Sequence, residues 1–150
     1  MVPSLTMQEQ EWLRAQHPKL FYFPGYGRIV GDFEFKASYN NVAVKDSYQV
    51  RIELNETSFF MPIPKVYVMD NRIERASKIL KREMIDMHVF PDRSLCLIRP
   101  DKIQDYYPMN QVSLQSFIYH LTAYFYWQSF LETYGKEPWK GEAHDFPYKI

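Results

Sequence analysis

Cys96 is the only cysteine in a chain of 150 residues, and it stands in the segment HVFPDRSLCL, residues 88–97, eight positions after His88. A thiolate is an intrinsically strong nucleophile, but it needs solvent access and surroundings that stabilise its charge. Pro91 and Asp92 suit the two central positions of a type I turn. Such a turn would separate His88 from Cys96 and could bring their two segments together. Downstream, Pro100 and Pro108 bracket a polar stretch unsuited to a strand. A cysteine between irregular segments is more accessible than one inside a periodic apolar run. The opposite reading has equal weight locally. Cysteine outside disulfides is among the most buried residue types, and Leu95-Cys96-Leu97-Ile98 also reads as a short core segment.

The remaining histidines, His17, His120 and His144, are scattered along the chain. One cysteine cannot build a thiolate-rich zinc site, so no metal and no cofactor is expected. His120 adjoins Leu121 and should flank the core; His144 either closes over the Cys96 region or satisfies a tail carbonyl. The Tyr124-Phe125-Tyr126-Trp127 cluster reads as core packing.

Lys plus Arg total 18 and Asp plus Glu total 18, and no basic run is visible. Balanced charge removes the usual electrostatic footprint of nucleic-acid binding. A lone cysteine implies no oxidising compartment. The N-terminal MVPSLTMQEQEWLR has no apolar core of signal-peptide type. FIYHLTAYFYW is far shorter than the roughly 20 residues that span a bilayer. The expectation is a soluble cytoplasmic protein with no membrane partner, and a single domain over residues 1–150.

The elements that must position Cys96 follow from periodicity. Thr6-Met7-Gln8-Glu9 has capping-box spacing, so a helix should run from about Met7 to near His17, ahead of Pro18. LFYFPGYGR, 20–28, reads as a connection. Ile29, Phe33 and Phe35, then Tyr48, Val50, Ile52 and Leu54, alternate with polar residues and predict strands over 28–36 and 48–55, with a hairpin loop between. MPIP, 61–64, is excluded from a central strand by its prolines, and a third strand follows over 65–70. Residues 71–84 can hold a short helix with Ile73, Ala76, Ile79 and Leu80 on one side. Leu114, Phe117, Ile118, Leu121, Phe125 and Leu131 predict a long helix over about 112–134, ended by Gly135. The tail should be irregular. The fold class is α+β: helix, antiparallel meander, cysteine segment and a long helix packed on one sheet face.

This order, with HVFPDRSLCL, MPIPKV and the tail residues Trp139, Gly141, Glu142 and His144, resembles the ubiquitin-conjugating enzymes, in the divergent bacterial branch associated with antiphage operons. MPIPKV is similar to a shortened form of the family's proline-rich segment. Cys96-Leu97 matches the end of the active-site pattern, and His88 stands where the better-known members have asparagine. Arg93 replaces the usual glycine, so a positive φ there would be strained. The N-terminal helix, with Glu9, Glu11 and Arg14, lacks the basic face that eukaryotic members offer an activating enzyme.

The resemblance implies that Cys96 accepts a protein C-terminus as a thioester and passes it to an amine, with His88 orienting the acyl group or stabilising its oxyanion. The implied partner is a protein with an activated C-terminus, either a nucleotidyltransferase that makes a cyclic-nucleotide signal or a ubiquitin-like protein. Activation, if required, would come from a separate protein. Asp101 and Asp105 lie where the family often places a residue that handles the incoming lysine. Two other readings stay open: a non-catalytic binding module of the same fold, and a cysteine hydrolase pairing Cys96 with His120 or His144. In the conjugating reading Cys96 should lie outside regular elements, near the mouth of a shallow groove.

Overall fold

Thr6 and Glu9 close the expected capping box: the Thr6 hydroxyl accepts from the Glu9 N–H at 3.1 Å, and Glu9 Oε1 accepts from the Thr6 N–H at 3.0 Å. Helix α1 therefore begins at the predicted place and spans Met7–Gln16. In the computed structural model, which describes residues 4–58 and 62–139, four strands follow. They are β1 (Leu20–Phe23), β2 (Arg28–Tyr39), β3 (Val42–Thr57) and β4 (Pro64–Val68), antiparallel in the order β1-β2-β3-β4.

Two expectations are corrected here. Residues 20–23 form a strand rather than part of a connection. The polar stretch between the two predicted strands is mostly strand as well, with Lys36 opposite Lys45 and Tyr39 opposite Val42. Only Asn40 and Asn41 turn, both at positive φ (48° and 62°), the conformation of a tight two-residue hairpin in which asparagine is favoured. Polar side chains do not exclude a strand whose pairing partner is its own sequence neighbour. β4 begins at Pro64 on the edge of the sheet, one of the few places where a strand tolerates proline. Gly31, at φ 146°, lets β2 pass the Lys19 carbonyl, where any Cβ would collide.

The predicted alternation is confirmed: Ile29, Phe33, Tyr48, Val50, Ile52 and Leu54 are buried. They meet helix α4 (Leu114–Tyr134), which Ser113 caps and which ends at Gly135 with φ 72°. Phe125 stacks on Tyr48 with ring centroids 4.1 Å apart and contacts Phe33 at 5.4 Å. Glu9 also accepts the Leu114 N–H at 3.0 Å, so one carboxylate serves the N-terminal ends of two helices. Its charge suits both N-termini.

Between β4 and the cysteine lie α2 (Arg72–Leu80) and a 3₁₀ turn, Met84–Met87, and the short α3 (Ile103–Tyr106) lies between the cysteine and α4. Ile73, Ala76 and Ser77 face inward, but Ile79 is 80% exposed, against the expected grouping. At about 3.6 residues per turn Ile79 lies roughly 120° around α2 from Ile73, off the stripe that Ile73, Ala76 and Leu80 share. Arg72 anchors α2. Its guanidinium donates to Asp46 (3.0 and 2.5 Å), to Glu132 (2.7 Å) and to the Ser47 carbonyl (3.1 Å), and lies 4.0 Å from the Tyr48 ring centroid. Burial works against the charge of Arg72, but its bonds to Asp46 and Glu132 outweigh it and hold the guanidinium firmly protonated. Ser129 completes the cluster, donating to Asp46 at 2.8 Å and accepting from the Tyr48 hydroxyl at 2.7 Å.

Candidate active site

The cysteine segment folds as a small hairpin. Val89 bridges Leu95, and the Phe90 N–H donates to the Ser94 carbonyl at 2.8 Å. The Arg93 N–H donates to the Phe90 carbonyl at 2.8 Å, which puts Pro91 and Asp92 at the centre of the turn as their types demand. Asp92 locks it by accepting from the Ser94 N–H (2.9 Å) and hydroxyl (2.6 Å), while its other oxygen takes Lys65 of β4 at 2.8 Å. Burial opposes the Asp92 charge, yet these bonds keep its carboxyl below the ordinary range. The Leu95 N–H donates to the Val66 carbonyl at 2.9 Å and hangs the hairpin on the outer edge of β4.

Arg93 adopts φ 74°, the left-handed conformation that closes three-residue hairpin loops and favours glycine. A side chain there costs about 1–2 kcal/mol, against which glycine's extra backbone entropy takes back about 0.5–1 kcal/mol. The Arg93–Glu74 contact is long, at 3.5 Å, and exposed. Arg93→Gly is therefore expected to raise the unfolding free energy by about 0.5–1 kcal/mol in urea titration; a lower midpoint would mean that the arginine side chain supports the loop.

The hairpin brings His88 and Cys96 together, as the turn signal implied. The Cys96 N–H donates to the His88 carbonyl at 2.8 Å. That amide is spent, so any charge developing on an acyl oxygen must find other donors. His88 sits at φ 59°, ψ 46°, a region in which histidine and asparagine are enriched. Its ring packs edge-on against Trp127 of α4, centroids 4.8 Å apart. Below, the buried Tyr124 hydroxyl donates to the Met87 carbonyl at 2.8 Å. Burial first, and the nearby Cys96 next, push that phenol well above its ordinary pKa. Tyr124 thus stays a neutral donor that fixes the backbone one residue before His88.

Cys96 is half-buried and belongs to no regular helix or strand. Together with His88 it lines an open groove of about 430 Å³, walled by Arg82, Ile85 and Asp86 on one side and Glu137 on the other. Arg82 donates to the Asp86 carbonyl at 2.8 Å and to Glu137 at 3.0 Å, and its guanidinium carbon stands 5.7 Å from the Trp127 ring centroid. Sequence reasoning did not reach Arg82, Asp86 or Glu137. The signal for Glu137 was Gly135, whose left-handed turn sends the chain back across the end of α4.

Asp101 and Asp105 do not line this groove; Asp101 pairs with Arg99 at 2.7 Å. His120 is also elsewhere. It is 3% exposed, and its Nδ1 lies 2.8 Å from the Tyr107 hydroxyl and 2.9 Å from the Ser116 carbonyl. Burial lowers its pKa to about 4, so it is neutral at neutral pH. Trp139, the described end of the tail motif, stacks on Tyr126 with centroids 5.8 Å apart, while Gly141, Glu142 and His144 lie outside the described residues. Among the described residues no group of three or more metal-ligating side chains occurs, and no helix is long and apolar enough to cross a membrane.

The family model described as "Type II CBASS E2 protein" matches residues 10–145. The chain belongs to the E2-CBASS family. This is the divergent, E2-like bacterial branch of antiphage operons that the cysteine segment suggested. No curated protein and no solved structure matches. Membership in E2-CBASS points to protein partners from the same operon.

Proposed function

We propose that the chain is a single ubiquitin-conjugating-enzyme-like domain that carries a protein C-terminus as a thioester on Cys96. The cargo is the C-terminus of a nucleotidyltransferase that makes a cyclic-nucleotide signal, and the acceptor is an amine. What carries this reading is the position of the lone thiol, half-buried and lining an open groove together with His88. The Cys96 thiolate attacks the carbonyl of a donor thioester, a new C–S bond forms, and the donor's thiol leaves as thiolate. A lysine amine then attacks the same carbonyl and loses a proton, and the Cys96 thiolate departs, leaving an isopeptide bond. A ubiquitin-like protein is the second possible cargo. The hydrolase reading loses His120, which is buried away from the groove.

The test is covalent. With a donor activated as a thioester, the wild-type chain should form an adduct that dithiothreitol removes, and Cys96→Ser should form one that survives dithiothreitol and falls to alkali. A dithiothreitol-resistant adduct on the wild type, or one mapping to another residue, rejects the thioester.

His88 is the proposed positioning donor to the acyl oxygen, because the Cys96 amide is occupied. Loss of one oxyanion donor costs roughly 10²–10³ in rate, so His88→Ala should slow transfer by more than about tenfold. His88→Asn keeps a donor and suits the left-handed backbone, and should retain most of the rate. General-base chemistry would instead leave Asn as poor as Ala and remove one limb of the pH–rate profile. Wild-type rates in both variants, with earlier melting, would make His88 a purely structural residue.

A further inference from the structure

Arg82 enters the Cys96 groove with hydrogen-bonding capacity that the fold leaves partly unused. Both of its bonds, to the Asp86 carbonyl at 2.8 Å and to Glu137 at 3.0 Å, run from Nη2. Among the described residues Nη1 has no hydrogen-bond partner, and neither has Nε, which is buried. A guanidinium is a rigid planar fork, so fixing one nitrogen fixes where the others point. Trp127 holds it as well. The guanidinium carbon lies 5.7 Å from the indole centroid, and the His88 ring lies 4.8 Å from the same indole. Cation, histidine and thiol therefore line one groove, and two of them rest on one ring. A buried cation with unbonded donors costs stability, so its place beside a nucleophile calls for a reason.

We infer that Arg82 is a catalytic residue of the acyl step, its unbonded Nη1 donating to the acyl oxygen as Cys96 adds to the carbonyl. The inference rests on the thioester reading. The Cys96 amide is spent on the His88 carbonyl, and a neutral imidazole offers one neutral hydrogen bond. A bond from a cation to a developing oxyanion is roughly twice as strong. In the step, Cys96 Sγ forms the new C–S bond and the carbonyl electron pair moves onto oxygen. Arg82 and His88 hold that charge, and its return to carbon expels the donor's thiolate. No proton leaves Arg82, which stays charged throughout. Glu137 acts in two directions. It orients the fork through Nη2, but its own negative charge lines the same groove and opposes the oxyanion.

Two reagents separate this step from the reactivity of the thiol itself. A short glycine-ended peptide thioester of 2-mercaptoethanesulfonate acylates Cys96 through an oxyanion. Iodoacetamide alkylates it by displacing iodide, with no oxyanion, yet both reactions need the thiolate. Their rate ratio at one pH, followed by intact mass, therefore cancels any change in thiolate fraction. Arg82→Met keeps an unbranched stem against Trp127 and removes every donor. The ratio of acylation to alkylation should fall about a hundredfold, the effect of losing one oxyanion donor. Equal losses in the two reactions, or none in either, would confine Arg82 to the thiolate or to the fold and overturn the inference, with the thioester reading left standing. Should Arg82→Met fail to fold, Glu137→Gln decides, because it can still accept from Nη2 but lacks the opposing charge. That variant should raise the ratio about threefold, the scale of one partly exposed charge; an unchanged or lower ratio overturns the inference. If the peptide thioester fails to acylate a wild-type Cys96 that iodoacetamide alkylates, the thioester reading falls and takes the inference with it.

Discussion

Cys96→Ala is expected to reduce acyl transfer to background, a loss of about 10⁶ on the scale of other covalent nucleophiles. Only Sγ is deleted, and its backbone tie to His88 survives, because the N–H that donates to the His88 carbonyl is main chain. Leu95 and Leu97 on either side keep the hairpin buried. A half-buried thiol contributes little packing, so stability should change by less than about 1 kcal/mol. Transfer and melting temperature measured on the same preparation therefore separate chemistry from folding. An unchanged adduct in Cys96→Ala would end the conjugating reading. Loss of both activity and the folded baseline would show that the sulfur is a core atom.

Arg72→Ala carries the largest expected effect on stability, about 3 kcal/mol, because it leaves two half-buried carboxylates facing each other without their cation. Asp46 and Glu132 lie on β3 and α4, so the guanidinium is the joint between α2, sheet and helix. Lysine cannot reproduce the forked geometry or the stacking on Tyr48, and Arg72→Lys should recover less than half of the loss. A pH signature accompanies it. Burial raises the Asp46 pKa, but the bonds from Arg72 and Ser129 prevail and hold it below its ordinary 3.8. A carboxyl depressed on folding contributes stability above its unfolded pKa and loses it as pH falls through the folded value. In Arg72→Ala that acid-side loss should shrink, visible in urea midpoints between about pH 5 and 2. An equally steep acid limb would assign the depression to Ser129 and the Ser47 amide alone.

The contrast between what periodicity revealed and what it hid has a physical basis. The core face of β2 and β3 and the length of α4 were legible because burial imposes alternation on a strand and a stripe on a helix. The turn at Pro91-Asp92 was legible because proline and aspartate fit few other backbone positions. β1 was missed because four residues are too few to show alternation, and its Phe21 and Phe23 remain exposed. The far half of the β2–β3 hairpin was missed because its pairing, Lys36 with Lys45 and Ser38 with Ala43, is backbone-driven. The walls of the Cys96 groove were hidden for a different reason. Arg82 and Glu137 are 55 residues apart, and nothing local in either segment marks them as neighbours. Ile79 was grouped with Ile73, Ala76 and Leu80, but at about 3.6 residues per turn it sits roughly 120° around the helix from Ile73.

The order in which the chain is made gives the arrangement of sheet and helix a further meaning. All four strands are complete by residue 68, yet the helix that covers their apolar face begins only at Leu114. During synthesis, at roughly 5–20 residues per second, Phe33, Tyr48 and their neighbours wait some seconds for Phe125 to arrive. A ribosome that stalls in this interval leaves a paired sheet with a bare aromatic face, the kind of species that chaperones capture and that otherwise aggregates. The cysteine hairpin emerges within the same interval, already able to hang on β4, so Cys96 is in place before the domain is closed. A cell that makes this protein must keep that half-finished surface from unwanted company until the last helix lands.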